Sequence, residues 1–496
     1  MAYRISLKCF LLAFPVSVAL GLSGCSPDAG TANTPNSVAT RLGPLTLENG
    51  YPTRETADKL YEEMYFQRAS QAYIWALPAV GFKALYDAQA KTLGAKNGDV
   101  VLYQDLKDKA GMLTPNITTL YAFSFWDLAK DGPLVIDVPA GATAGGVLDI
   151  WQQPITDMGQ TGPDKGAGGK YLILAPGGEA LNPPGHRVLR APTNQVWFGT
   201  RGLDPDKAVA EATVRKHKLY AWDKRANPEG TRYVTVGGRP WTSAQPDTLE
   251  YWRLLAELYA NEPVAPRDRT MFGMLTPLGV EPGKPFNPTE RQAKILTEAA
   301  KVGELMSRTV AFDKRYEGAT VYPGKHWEYA VMFELDQETP NKDRVQFDQR
   351  GSWFYEAIGM SVGMQGRVLG FGQVYLESSK DKAGAWLDGG KTYRIRVEPL
   401  PPVRQFWSIT LYDNVTRGPL VTPQGAADIS SRKPELVKNA DGSVDVTFGP
   451  VKPEGAANWI QTSPGKGWFA YFRFYGPTEP YFAKSWQLND FEQVTK

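Results

Sequence analysis

Sulfur and imidazole are scarce in this chain, whose 496 residues include 2 cysteines and 3 histidines. Cys9 falls inside an N-terminal segment that reads as a removable signal, which leaves Cys25 as the one remaining cysteine. That count excludes an internal disulfide, a cysteine-held metal cluster and a thiol nucleophile. His186, His217 and His326 are far apart and none belongs to an HExxH or HxH cluster, so each reads as an ordinary surface or loop histidine. Gly359, Met360, Ser361, Val362 and Gly363 match GxSxG, but no histidine follows Ser361, as the α/β-hydrolase order requires. A glycine-rich turn region continuing through Gly366, Gly370 and Gly372 is the plainer account. A Walker-type phosphate loop is absent, and the glycine cluster at 166–169 lacks the strand, spacing and following helix of a dinucleotide fingerprint. Neither sign of charge dominates, with 55 Lys and Arg against 53 Asp and Glu, so no net field gathers nucleic acid or an anionic membrane.

Glycine (49), proline (38) and aromatic residues (12%) are plentiful, a composition of short strands and turns rather than of a helical bundle. Arg4 and Lys8 precede an apolar stretch over residues 10–22 that is too short to span a bilayer. Leu22, Ser23, Gly24 and Cys25 are similar to a bacterial lipobox, whose cysteine is lipidated and becomes the first residue of the mature chain. Ser26 points, by the same likeness, to the outer membrane. We expect residues 1–24 to be a lipoprotein signal and 25–49 to be the lipidated cysteine with a flexible tether. The protein would then be anchored in the cell envelope and face the periplasm.

Two aromatic strands stand out near the C-terminus. With a two-residue period, residues 401–413 put Val403, Trp407, Ile409 and Leu411 on one face, and Arg404, Phe406, Ser408, Thr410 and Tyr412 on the other. Residues 468–475 likewise separate Trp468, Phe472 and Phe474 from Phe469, Tyr471, Arg473 and Tyr475. One face is core. The other either pairs its arginines with carboxylates such as Glu398 or Asp413, or meets an anionic or polyhydroxylated ligand. Periodicity leaves both open. Thr53 caps a helix that Pro78 should kink or end. Asp204 and Pro205 open another, reaching about Tyr220, and further helices are expected at 248–260 and 287–312.

The stretch 149–178 gathers Asp149, Asp157, Asp164 and Lys165 around glycines that permit close backbone approach, although Pro-Asp-Lys-Gly is also an ordinary turn. TPN with Tyr121 five residues past Asn116, the DGP turn with its strand, and TDMGQTGPDKGAGGKYLILAPG resemble the N-terminal half of the paired DUF1254 and DUF1214 bacterial envelope proteins. FWSITLYD, NADGSVDVTFG and NWIQTSPGKGWFAYFRFYGP are similar to the C-terminal half. The resemblance runs from about Tyr51 to the C-terminus. It implies an α+β fold, mainly β, of two β-sandwich or jelly-roll-like domains. These would be a DUF1254-like domain over 50–225 and a DUF1214-like domain over 376–496, joined by a helical region at 226–375. Relatives often carry an aspartate two residues after the TPN asparagine. Here that position is Thr118, so a role needing a carboxylate there does not carry over.

The expected function is binding of a polar or anionic small molecule. Asn116, Tyr121, Lys165, Arg404, Ser408, Tyr412, Asn458, Tyr471 and Arg473 would supply contacts. A hydrolase of phosphate esters or glycosides would use Asp157 and Asp164 as acid, base or ligands to a divalent cation. The alternative is a non-catalytic periplasmic binding or envelope-assembly lipoprotein. The expected partners are the small molecule and, through its lipid anchor alone, the membrane. Nucleic acid is not among them, and a homo-oligomer remains open.

Overall fold

The structure, a computed structural model, describes residues 36–494, so the segment expected to be a signal and Cys25 lie outside the described residues. The chain forms two compact units that divide after Tyr61. In the first, Ser37–Thr40 pairs antiparallel with Gly43–Glu48, which in turn pairs with Tyr51–Pro52. The flexible tether expected to reach residue 49 therefore gives way to strand at Ser37. Its Ser, Thr and Val residues are as compatible with a short hairpin as with a linker, and Gly43 takes the turn's positive φ of 87°.

The second unit contains two pairs of sheets. A six-stranded sheet runs in the order Tyr233–Thr235, Val100–Tyr103, Leu120–Asp127, Gln195–Gly202, Thr143–Leu148 and Pro154–Gly159. Side chains such as Leu102, Ala122, Val147 and Phe198 leave one of its faces and pack on Ile136, Tyr171 and Ile173 from a four-stranded sheet. The C-terminal half repeats the plan. A five-stranded sheet centred on Val403–Asp413 and Trp468–Pro477 packs Trp407, Ile409, Leu411, Phe472 and Phe474 against Ile395, Val446 and Phe448 of another four-stranded sheet. The core face is thus the one the alternation indicates. Parallel pairs occur in both halves, His186–Arg190 with Gly169–Leu174 and Val444–Gly449 with Asn458–Gln461, which an all-antiparallel jelly roll would not contain. The intervening region lends an edge strand to each larger sheet, Tyr233–Thr235 to one and Glu328–Tyr329 to the other.

Helices fill the space on the opposite faces of the two larger sheets. The helix Arg54–Asp87 passes through Pro78 rather than ending there. Its carbonyls near the proline are bonded from outside: Gln152 donates to Pro78 O (2.7 Å), Arg350 to Trp75 O and Tyr251 to Tyr73 O (2.5 Å). Those bonds tie the helix to its neighbours at and just before the proline. Lys207–Val214 is shorter than expected because Lys218–Ala221 leaves it to pair with Leu134–Val138. Among the described residues no helix is long and apolar enough to cross a membrane.

Candidate functional site

The second faces of the two larger sheets carry side chains in matched rows. On the N-terminal sheet, strand register aligns Tyr121 with Arg201 and Ala144, Phe123 with Gly199 and Gly146, and Phe125 with Trp197 and Leu148. The middle row runs through two glycines to Asp157 and leaves a gap between rings. On the C-terminal sheet the rows are Tyr375, Arg473 and Ser408, then Glu377, Tyr471 and Thr410. A cavity of about 100 Å³ is bounded by both faces, with Trp353, Ile358 and Met360 closing a side. It is mainly apolar, but Arg201, Arg473, Tyr121 and Tyr375 all reach it.

Gly199 keeps this space open. A Cβ there would lie 3.3 Å from the Phe123 ring, so the position tolerates a small addition only if the ring gives. Gly199→Ala is expected to cost no more than about 1–3 kcal/mol as overpacking while narrowing the chamber. Thermal melting should remain cooperative and small-anion binding should weaken; unchanged binding would place the ligand elsewhere.

The two guanidiniums are the unusual feature. Arg473 is 1% exposed. It donates to Thr114 O (2.8 Å) and Thr410 Oγ1 (3.2 Å), and its Nε has no partner. Arg201 donates to Gln373 Oε1 at 3.0 Å. The groups around both are tyrosines, Tyr121, Tyr375, Tyr412 and Tyr475, with Arg473 lying 5.4 Å from the Tyr375 ring centre and Arg201 5.8 Å from that of Tyr121. Burial pushes Tyr375 up to about 12 despite Arg201 and Arg473, so that its hydroxyl stays neutral. Among the described residues neither arginine is in an ion pair with a carboxylate. A buried cation with no ion-paired carboxylate, as Arg473 is, is costly; Arg201 is half-buried and acts on the Asp157 carboxyl, and an anion in the chamber would add counter-charge beside both.

The Thr114-Pro115-Asn116 loop is held against the same sheet. Besides the Arg473 bond, Tyr412 donates to Pro115 O (2.8 Å), Asn116 N donates to the Tyr121 hydroxyl (3.1 Å) and Asn116 Nδ2 to the Tyr475 hydroxyl. Thr114 sits at φ 38°, a left-handed conformation that is strained for a β-branched residue. So many bonds on so few residues hold it there.

Other expected contacts lie elsewhere. Arg404 is exposed, because a register irregularity between Val403 and Phe406 breaks the alternation that would have kept it on the face of Ser408 and Arg473. The proposed partners of these arginines are also taken: Asp413 pairs with Lys466 (3.0 Å) and Glu398 accepts from Asn489 (2.9 Å). Asn458 bonds the backbone of Val437 and Asp445, a structural role. Lys165 is exposed on its turn at φ 50°. Ser408 is buried with its hydroxyl unpartnered, and Tyr471 donates to Glu356.

The two aspartates do not form a catalytic pair at the chamber. Asp164 accepts from Gly159 N (2.9 Å), Gly168 N (3.3 Å) and Tyr171 (2.7 Å), which closes its own loop. Asp157 accepts from Val362 N (3.3 Å) and Gly363 N (3.5 Å), tying down the GxSxG turn. Burial pushes its carboxyl up to about 6. Among the described residues no group of three or more His, Cys, Asp and Glu comes together to hold a metal. The divalent cation considered from the sequence therefore gains no site.

Behind Tyr471 lies a second buried cluster. Lys314 contacts Glu356 (3.2 Å), Glu377 (3.2 Å) and Glu328 (3.4 Å), all within the protein. Glu328 and Glu377 face each other directly in the strand pair, a repulsive arrangement for two ionised carboxylates. Burial pushes Glu377 up to about 8 and raises Glu356, against the pull of Lys314. A proton on Glu377 or Glu356 would relieve the repulsion.

Residues 99–221 match the family model described as "Protein of unknown function (DUF1254)", and residues 372–479 the one described as "Protein of unknown function (DUF1214)". Among solved structures, the VPA0106 protein from Vibrio parahaemolyticus is 18% identical, covering 87% of this chain and all 100% of its own, with a TM-score of 0.54. That is a likeness of fold. An uncharacterized protein from Burkholderia cenocepacia is 12% identical over 88% of this chain and 97% of its own, with a TM-score of 0.39. No curated protein matches the chain.

Proposed function

Since this chain belongs to the two-domain DUF1254 and DUF1214 family, we propose that it binds a small anionic molecule in the chamber bounded by its two larger sheets. The observation that carries this is the pair of Arg473, buried, and Arg201, half-buried, cations that reach a mostly apolar cavity and, among the described residues, form no ion pair with a carboxylate. Apolar walls with a few convergent polar groups are the usual make-up of a ligand site. Arginine is the side chain suited to carboxylate or phosphate. A hydrolase of phosphate esters or glycosides draws less support, because Asp157 and Asp164 are both occupied with backbone amides and neither is among the residues lining the chamber. Titration calorimetry with butanoate, benzoate and inorganic phosphate is the test. Saturable binding of at least one anion is expected, and no heat from any of them would overturn the reading.

The protein is further proposed to be a lipoprotein of the cell envelope, anchored through Cys25 and facing the periplasm. The support is the charged, apolar and Leu-Ser-Gly-Cys order of residues 4–25. Cys25→Ser is expected to move the protein from the membrane to the soluble fraction, and unchanged sedimentation with membranes would contradict the anchor.

A further inference from the structure

A second cavity, of about 470 Å³, lies beside the chamber, and Tyr375 and Met364 line both. Its walls include Val331, Met332, Val374, Tyr481 and Phe482. At its rim Arg367 is already paired with Glu334 at 2.7 Å. One stretch of chain, residues 357–372, serves both spaces: Ala357 and Met360 face the chamber, whereas Gly366 and Arg367 face the outer cavity. Apart from the short turn Val362–Met364 this stretch is irregular.

We infer that the site takes an elongated amphipathic anion, a linear alkyl carboxylate whose charged end lies at Arg201 and Arg473 and whose tail passes between Tyr375 and Met364 into the outer cavity. This rests on the anion-binding reading above and names its ligand class. Size is the first argument. Small-molecule pockets usually enclose roughly 300–1,000 Å³, and the chamber, at about 100 Å³, falls well short until the outer cavity is joined to it. The chamber alone has room for a charged group and a few carbons. A longer chain must cross the shared boundary. Position is the second argument, since Arg473 stands 5.4 Å from the ring of Tyr375, the residue common to both spaces. The charged end is therefore held next to the boundary, not remote from it. Wall chemistry is the third. The outer cavity is mixed in polarity, with Gln365 and Arg367 in its wall, but Met332, Met364, Val374 and Phe482 offer an apolar track for a flexible chain, and methionine adapts its shape to chains of different length.

The test is calorimetry with the homologous series from butanoate to octanoate, on the full-length chain carrying Cys25→Ser so that no detergent competes for apolar surface. Each added methylene buried should tighten binding about fourfold, so octanoate, with its four further methylenes buried, is expected to bind about 250-fold more tightly than butanoate. Met332→Trp, which fills the outer cavity, should bring the octanoate-to-butanoate ratio down toward one. Phe482→Ala, at a partly exposed ring, should lower it as well and serves if the tryptophan variant misfolds. Butanoate binding with no dependence on chain length would overturn this inference and leave the anion site standing. A ratio that survives both substitutions would also overturn it. Failure of every alkanoate, butanoate included, would instead remove the anion-site reading on which it rests.

Discussion

Lys314→Met is expected to cost about 3–5 kcal/mol of folding stability, the usual penalty for removing one partner from buried charges. Its ammonium is the cation in contact with Glu356, Glu377 and Glu328, and its own pKa is held well above the ordinary range: burial works to lower it, but the three glutamates outweigh that. The loss should depend on pH in a defined direction. Glu377 titrates near 8 in the fold against an ordinary value of 4.5, and Glu356 is raised too, with burial the first cause in each. Groups with raised folded values take up protons on folding, so the stability they lend is complete below about pH 4.5 and is lost as pH rises toward 8. The wild type should accordingly weaken from pH 5 to pH 8. Lys314→Met should steepen that decline, because the carboxyls lose their counter-charge. Glu377→Gln should flatten it and partly rescue Lys314→Met. Urea denaturation at pH 5, 7 and 8 measures all of this, and equal midpoints for the wild type at pH 5 and 8 would contradict a shared proton.

Arg473→Leu is expected to lower affinity for a bound carboxylate at least about 30-fold, as truncation of a buried charge pair typically does. Its effect on the ligand-free protein should be small, because two terms oppose each other. The substitution leaves Thr114 O without its donor, at about 1–3 kcal/mol, and also removes a buried guanidinium that has no carboxylate beside it. A purely structural arginine would behave differently, losing stability with or without ligand. Melting temperature and titration on the same variant separate the two cases.

The face assignment of the two aromatic strands was legible from the two-residue period, and Trp407, Ile409, Leu411, Phe472 and Phe474 do form the core between sheets. What covers the opposite face was not. Alternation distinguishes two sides of a strand but says nothing of the neighbour, here helices, the 114–116 loop and, across the chamber, a sheet from the other half of the chain. Arg404 shows where the period fails, at a register break. Arg201 was within reach: Trp197, Gly199 and Arg201 alternate in the same way in Gln195–Gly202, and only the lack of a nearby motif hid it. Lys314 and its three glutamates come from four separate segments, so no spacing could have announced them. Asp157 and Asp164 looked chemical because they sit among glycines. Those glycines are turns whose amide groups the carboxylates bond, as at Gly159, Gly168 and Gly363.

The proposed anion lies in the chamber at Arg201 and Arg473, which form no ion pair with a carboxylate among the described residues. Titration of hexanoate into the wild type and into the Arg201→Leu, Arg473→Leu double variant tests this proposal most directly. The account predicts one saturable site per chain in the wild type and none in the double variant, with both proteins melting cooperatively. Equal hexanoate binding by the two proteins would contradict it.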